Sequence, residues 1–423
     1  MSNQQQQSII ETKVCIIGAG PGGAAAALKL DRLGIPCVLL DKAVFPRDKV
    51  CGDALSGKVV YGLNRIDKQI ALDLFEKTDI RVGCWGIKFV FPNTKELDIT
   101  VPGIEDKDVK TAKPEAFISK RIEFDNFLVE EVRKSKLIDF REGVDVQKFE
   151  RIDNQWIIKN RKGETIAKTN LLLDASGALS RFSRDIAGIK KEDKHFAGGI
   201  RAYYKNVKGF TDYNFIEIYF EKELTPGYLW IFPLPNGYAN VGLGMRTDHI
   251  SKGKVNLKKA LDDILKNNPR FKHRFDEAEL DGKVVGFPLP LGSKKRKISG
   301  DGYLLIGDAA SLIDPLTGEG IGNAIVSGKI AGEIVQEAIE NQAFDATVLK
   351  KYDKAIYKEL WRELKISHQL QRMMQYPWIV NILSSIALRS KEFTSVMTAM
   401  FTDVDLRKKL RDPRFYFRLL FSK

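Results

Sequence analysis

The sequence predicts an α/β fold in three layers, discontinuous along the chain, with an inserted antiparallel sheet and helices at the C-terminus. Three observations carry this. Residues 13–41 read strand, glycine-rich turn, helix, strand, acid. Residues 196–246 are strand-rich. Residues 302–335 read strand, Gly-Asp, glycine loop and small-residue helix, returning to the layout of the first stretch.

The first stretch opens with Val14–Ile17, a short apolar run of the kind buried in a parallel sheet. Gly18, Gly20 and Gly23 follow in the spacing GxGxxG, with Pro21 stiffening the turn and Gly22 adding a fourth glycine. Gly18 permits the tight turn, Gly20 lets the backbone approach a pyrophosphate, and Gly23 lets the helix lie close on the strand. Residues 24–33 read as that helix, ended by Gly34, and residues 36–40 as a second strand. The helix N-terminus offers free N–H groups to phosphates. Asp41, 18 residues after Gly23, can accept hydrogen bonds from the ribose hydroxyls of an adenosine. A strand-turn-helix context with an acid at this distance marks a Rossmann-like dinucleotide site. On its own it leaves NAD and FAD both open.

Composition narrows the class. The chain has 423 residues, 43% of them hydrophobic, enough for two or three domains with a large core. Cys15, Cys37, Cys51 and Cys84 form no CxxC pair, so a reduced, cytoplasmic protein without structural disulfides is expected. The histidines lie far apart in sequence, and no metal site is expected. The N-terminal residues are polar and lack a signal-peptide pattern. No run approaches the ~18 apolar residues of a membrane span. The net charge of +13 is dispersed, and no nucleic-acid-binding pattern accompanies it.

After the second strand, Phe45-Pro46 breaks any helix. Arg47 and Lys49 put cations close to a pyrophosphate, and Lys42, beside Asp41, joins the expected cofactor contacts with Cys51 and Gly52. Residues 81–101 alternate apolar and polar and read as a hairpin turned at Pro92-Asn93. Residues 120–135 carry apolar groups at helical spacing. Arg121 stands at the N-terminal end, where a helix dipole disfavours a cation, so a flavin contact is expected of it. Strands are expected over 138–149, 155–160 and 165–173, the last ending at Asp174-Ala175-Ser176-Gly177. The strands of 196–246 read as an antiparallel sheet with aromatic positions facing a cavity, covered by a helix over 256–266. Tyr228, Trp230 and Phe232 alternate on one strand and so share a face. After residue 345 the chain reads helical.

The second half of the nucleotide site lies about 290 residues after the first. An apolar strand, 303–306, ends at Gly307-Asp308, a pair able to hold ribityl or ribose hydroxyls. Gly318, Gly320 and Gly322 lead through Ile321 into a helix whose N-terminus can stabilise the negative charge of a reduced flavin. Two such halves favour FAD over NAD.

With these motifs in hand, the chain resembles the geranylgeranyl reductase family of FAD-dependent oxidoreductases, of the para-hydroxybenzoate-hydroxylase architecture. The resemblance covers roughly residues 11–340 and rests on GAGPGG (Gly18 to Gly23), FPRDKVCG (Phe45 to Gly52), RIEFDNFL (Arg121 to Leu128), YLWIFP (Tyr228 to Pro233) and GDAA…DPLTGEGI (Gly307 to Ile321). The run GYLWIFP with DASG is also similar to flavin-dependent halogenases, whose GWxWxIP it breaks at Tyr228 and Phe232. Asp53-Ala54 stand where the family often carries more glycines.

The resemblance implies a discontinuous FAD-binding domain (1–80, 115–195 and 295–340), a substrate domain (81–114 and 196–294) and a helical region (341–423). It implies reduction of carbon–carbon double bonds in an isoprenoid or other long apolar substrate, with NAD(P)H or ferredoxin as external electron donor. A monooxygenase or halogenase using O2 is the alternative, and a non-catalytic prenyl carrier the third reading. Tyr228, Trp230 and Phe232 would line the substrate pocket, and Cys51, a thiol among cations, would position substrate or relay a proton. Residues 389–423 carry nine basic and four acidic groups interleaved with aromatics, a pattern suited to peripheral contact with anionic lipid.

Overall fold

A computed structural model of the chain describes residues 9–77, 79–100, 114 and 116–387. Eight strands form the first sheet, whose parallel core orders Tyr303–Leu305, Thr165–Asp174, Ile10–Ile17, Cys37–Leu40 and Ile138–Arg141. Val14, Cys15 and Ile16 are fully buried, as a strand covered on both faces requires. The register sets Ile17 beside Leu40 and Asp174, and Asp174 beside Leu305. Four carboxyl ends therefore align, the usual place for a ligand in an open α/β sheet.

Two helices run from that edge, Pro21–Arg32 and Ile321–Glu340, and they pack on each other. Their contact is built from small residues. Ala24, Ala26 and Ala27 are fully buried, and a Cβ on Gly328 would collide with the Gly22 carbonyl oxygen. Backbones this close hold both helix N-termini at one place. The helix Arg121–Arg133, expected over 120–135, packs on the first of them.

A second sheet of seven strands runs Glu279–Pro290, Phe196–Lys205, Tyr238–Arg246, Tyr228–Leu234, Ile216–Tyr219, Gly86–Val90 and Glu96–Thr100. Its pairs are antiparallel except one: Gly86–Val90 lies parallel to Ile216–Tyr219, because the hairpin joins from a distant part of the chain; it spans Gly86–Thr100 rather than the expected 81–101, as Val82–Cys84 pairs instead with Ala116–Ile118. Leu257–Asn267 is the expected covering helix, flanked by Thr247–Gly253 and Pro269–Phe275. Ala54–Leu55, Val82–Cys84 and Ala116–Ile118 make a small third sheet.

One expected strand divides. Residues 138–149 hold Ile138–Arg141 in the parallel core and Lys148–Ile152 in an antiparallel extension, because Gly143, at φ 70°, turns the chain between them. Helices Ala346–Met373 and Pro377–Ala387 follow residue 345 as expected. Among the described residues, no helix is long and apolar enough to cross a membrane. The basic, aromatic segment 389–423 lies outside the described residues.

Candidate active site

One cavity of about 390 Å3 lies where the two sheets meet. Gly18, Gly20, Pro21, Gly22, Asp41, Lys42, Arg47, Cys51, Gly52, Arg121, Gly307, Asp308, Gly318, Gly320 and Ile321 line it together with Tyr228, Trp230 and Phe232. Gly23 does not. A Cβ on it would collide with the Gly18 carbonyl oxygen, so its part is the close helix–strand approach.

The glycine loop fits a pyrophosphate. Gly18 has φ 96°, and a Cβ there would lie 2.5 Å from the Ala175 carbonyl oxygen. A Cβ on Gly20 would meet nothing nearer than Arg47 Nη2 at 3.7 Å, so the space above that backbone is open. Two of the helices facing the cavity start at a glycine, Gly20 and Gly320. Neither has a side-chain cap or an acid in its first turn. Their N-terminal N–H groups and partial positive charge remain for an anion. The Asp41 carboxylate accepts from Ala19 N at 2.7 Å and Ala43 N at 2.8 Å. It braces the loop, and each oxygen keeps a lone pair for a hydroxyl donor.

The two arginines share one acid. Asp125, fully buried, accepts two bonds of 2.7 Å from Arg121 and one of 2.6 Å from Arg47. Burial alone would raise its pKa, but Arg121 and then Arg47 hold it below the usual carboxylate range. The helix-end position of Arg121 is thus explained first by Asp125, four residues on. Its guanidinium also lies within electrostatic reach of the Cys51 thiol. Burial pushes the Lys49 ammonium down against the pull of Asp308, 4.0 Å away, and Lys49 lies over the Phe287 ring at 4.0 Å.

The opposite wall is apolar. Tyr228, Trp230 and Phe232 share one strand face with neighbouring rings 6.1 and 6.2 Å apart. Ile216 and Ile218 extend that face on the next strand. Tyr228 donates to the Thr317 carbonyl, joining this wall to the loop before Gly318. The Cys51-Gly52 loop rides against it: a Cβ on Gly52 would lie 3.1 Å from the Phe232 ring.

Asp53 is the residue that sequence reasoning missed here. It has φ 67° and is fully buried. Its carboxylate accepts from Tyr203 Oη at 2.7 Å and Asn240 Nδ2 at 2.8 Å. Burial pushes its pKa up to about 6, with Asn240, Tyr203, Arg201 and Arg121 pulling the other way. The signal was an acid in a position often held by glycine, but its partners are far away in sequence. Glu319, also on the cavity wall, went unassigned inside a motif read for its glycines.

A family model for the geranylgeranyl reductase catalytic domain matches residues 197–281, and one for an FAD binding domain matches residues 11–55. The digeranylgeranylglycerophospholipid reductase of Methanococcus vannielii is 30% identical over 370 residues, covering 85% of this chain and 87% of that one. The chain belongs to the geranylgeranyl reductase family. As a member of that family it is an FAD-dependent oxidoreductase. The menaquinone reductase of Mycolicibacterium smegmatis is 26% identical, covering 93% of this chain and 92% of that one. A geranylgeranyl bacteriochlorophyll reductase-like structure from Thermoplasma acidophilum superposes with a TM-score of 0.78 at 24% identity, covering 96% of this chain and all of that one. A flavin-dependent brominase superposes at 0.74 with 18% identity, covering 95% and 98%. At these identities the superpositions show the fold alone.

Proposed function

We propose that this family member saturates carbon–carbon double bonds in an isoprenoid or similarly long apolar chain, with NAD(P)H or ferredoxin as the external reductant. The carrying observation is that the Tyr228–Trp230–Phe232 face shares one cavity with Gly20 and Gly320. An aromatic wall suits a polyprenyl chain, and two relatives are named as reductases of a digeranylgeranyl lipid and of menaquinone.

FAD, when bound, supplies the electron pair for saturation. Residues Gly18 to Gly22 with Arg47 would hold the pyrophosphate, and Asp41 the adenosine ribose. Asp308 and the Ile321–Glu340 helix N-terminus would hold the ribityl chain and the flavin's pyrimidine edge. The aromatic wall would orient the substrate and exclude water. Cys51, on the cavity wall beside Arg121, would position the substrate or relay a proton. Cys51→Ser should then leave the visible spectrum intact while slowing substrate-dependent reoxidation of the flavin; unchanged kinetics would reduce Cys51 to packing.

The test is anaerobic reduction of the purified protein, followed by mixing with O2 or with geranylgeranyl compounds. Rapid reoxidation by the isoprenoid supports the reductase; reoxidation by O2 alone favours a monooxygenase or halogenase. The basic, aromatic 389–423 segment would bring the cavity to lipid-dissolved substrates. Salt-sensitive flotation with anionic vesicles, lost on deleting residues 414–423, tests that; flotation unchanged by the deletion argues against it.

A further inference from the structure

We infer that Glu319 holds the proton that the saturation consumes, and that Lys58 and Glu363 link it to solvent; the inference rests on the reductase reading above. Adding hydrogen across a double bond takes an electron pair with one hydrogen, from the reduced cofactor, and a proton for the other carbon. The proton needs a holder on the wall of the cavity where the bond is saturated.

Glu319 and Ser56 both line the cavity. Glu319 Oε1 is 2.5 Å from Ser56 Oγ. Behind them, a Cβ on Gly322 would collide with Glu319 Oε1 and lie 2.9 Å from Lys58 Cβ, so this glycine opens the gap where the two side chains meet. Lys58 Nζ donates to Asn323 Oδ1 at 3.1 Å and to Glu363 Oε1 at 2.6 Å. The Lys58 and Glu363 side chains keep 13% and 16% of their exposure.

Three carboxyl groups, Asp314, Glu319 and Glu363, face one ammonium, Lys58. In a buried space they cannot all ionise, so a proton stays in the cluster. Asp314 Oδ1 accepts from Leu316 N and Thr317 N at 2.9 Å each, donors that favour a carboxylate. Glu363 has the direct lysine pair. Glu319 has the Ser56 hydroxyl, which can accept as readily as donate. Burial raises the pKa of Asp314 and Glu319 alike, against Lys58 in both; of the two, Asp314 has the two backbone N–H donors and Glu319 only the Ser56 hydroxyl, so the proton is placed on Glu319.

The step balances. The Glu319 O–H bond breaks as the alkene π pair forms one C–H bond, and the cofactor's electron pair and hydrogen form the other. Glu319 is left as carboxylate and regains a proton from solvent past Lys58 and Glu363.

The experiment uses the FAD-loaded protein and Glu319→Gln. Infrared difference titration should show a protonated carboxyl persisting above the ordinary glutamate range, absent from E319Q. E319Q should keep FAD and its reoxidation by ferricyanide, yet saturate geranylgeranyl lipid about 100-fold more slowly or worse, the scale of a lost general acid. Glu319→Asp should restore part of that loss. Wild-type saturation by E319Q, or no such carboxyl band, would overturn the inference. If the wild type saturates no alkene, the reductase reading falls, and the infrared band alone decides whether Glu319 holds a proton. Should E319Q lose FAD, Glu363→Gln, outside the cavity lining, carries the test: slowed saturation that worsens with rising pH supports the path, and an unchanged pH profile overturns it.

Discussion

Trp230 Nε1 donates to Asn240 Oδ1 at 2.8 Å, and Asn240 Nδ2 donates in turn to Asp53 Oδ2 and to the Cys51 carbonyl, each at 2.8 Å. One amide thus fixes the central ring of the aromatic wall to the loop carrying Cys51. The aromatic wall and the Cys51 loop are held as one unit. Flavin retention should depend on the loop, and turnover on both.

Trp230→Ala should therefore lower turnover far more than FAD content. Part of the effect is cavity formation, for which truncating a buried tryptophan costs about 3–5 kcal/mol. Trp230→Phe, which keeps one ring while losing the bond to Asn240 and part of the indole volume, should retain more activity than Trp230→Ala. Turnover and flavin content falling together in both variants would make Trp230 a core residue.

The buried Asp53 carboxyl gives a pH prediction. Its pKa is raised above the ordinary 3.8 to about 6, so the fold favours the protonated form. Its contribution to stability is full below 3.8 and is lost as pH rises through about 6. The stability of the wild type minus that of Asp53→Asn should thus decline across that window in thermal or denaturant melts. A difference independent of pH would refute this.

Arg121 and Asp125 are both buried, so breaking the pair should be costly. Arg121→Met leaves Asp125 with Arg47 alone, and the expected loss is about 3–5 kcal/mol. Denaturant melts at neutral pH measure it. A loss below about 1 kcal/mol, the scale of a surface pair, would contradict the buried geometry.

Much of the frame was legible in the sequence, because local pattern decides it. The GxGxxG spacing, the strand before it and Asp41 after it specify one βαβ unit, and alternation places Tyr228, Trp230 and Phe232 on one face. Contacts between distant residues were not legible. Asp53 finds Asn240 across 187 residues, and Arg47 finds Asp125 across 78. Nothing local in Asn240, an amide among strand residues, announces that partner. The division of residues 138–149 depends on Gly143 taking a positive φ, which the apolar pattern around it does not require.

Gly20→Val separates cofactor binding from folding. Its side chain would enter open space beside Arg47 rather than protein atoms. The variant should fold, with a melting temperature close to that of the flavin-free wild type, and show no visible flavin absorbance. Gly23→Val, by contrast, should fail to fold. A yellow Gly20→Val protein would mean that no pyrophosphate lies over Gly20.

The central claim is that this cavity joins a reduced flavin to an isoprenoid double bond. Mass spectrometry of geranylgeranyl lipid after incubation with anaerobically reduced enzyme tests it most directly. Products heavier by two hydrogens for each bond saturated are expected, with the signal lost in Gly20→Val and much reduced in Trp230→Ala. Unchanged lipid, with the flavin still reduced, would contradict it.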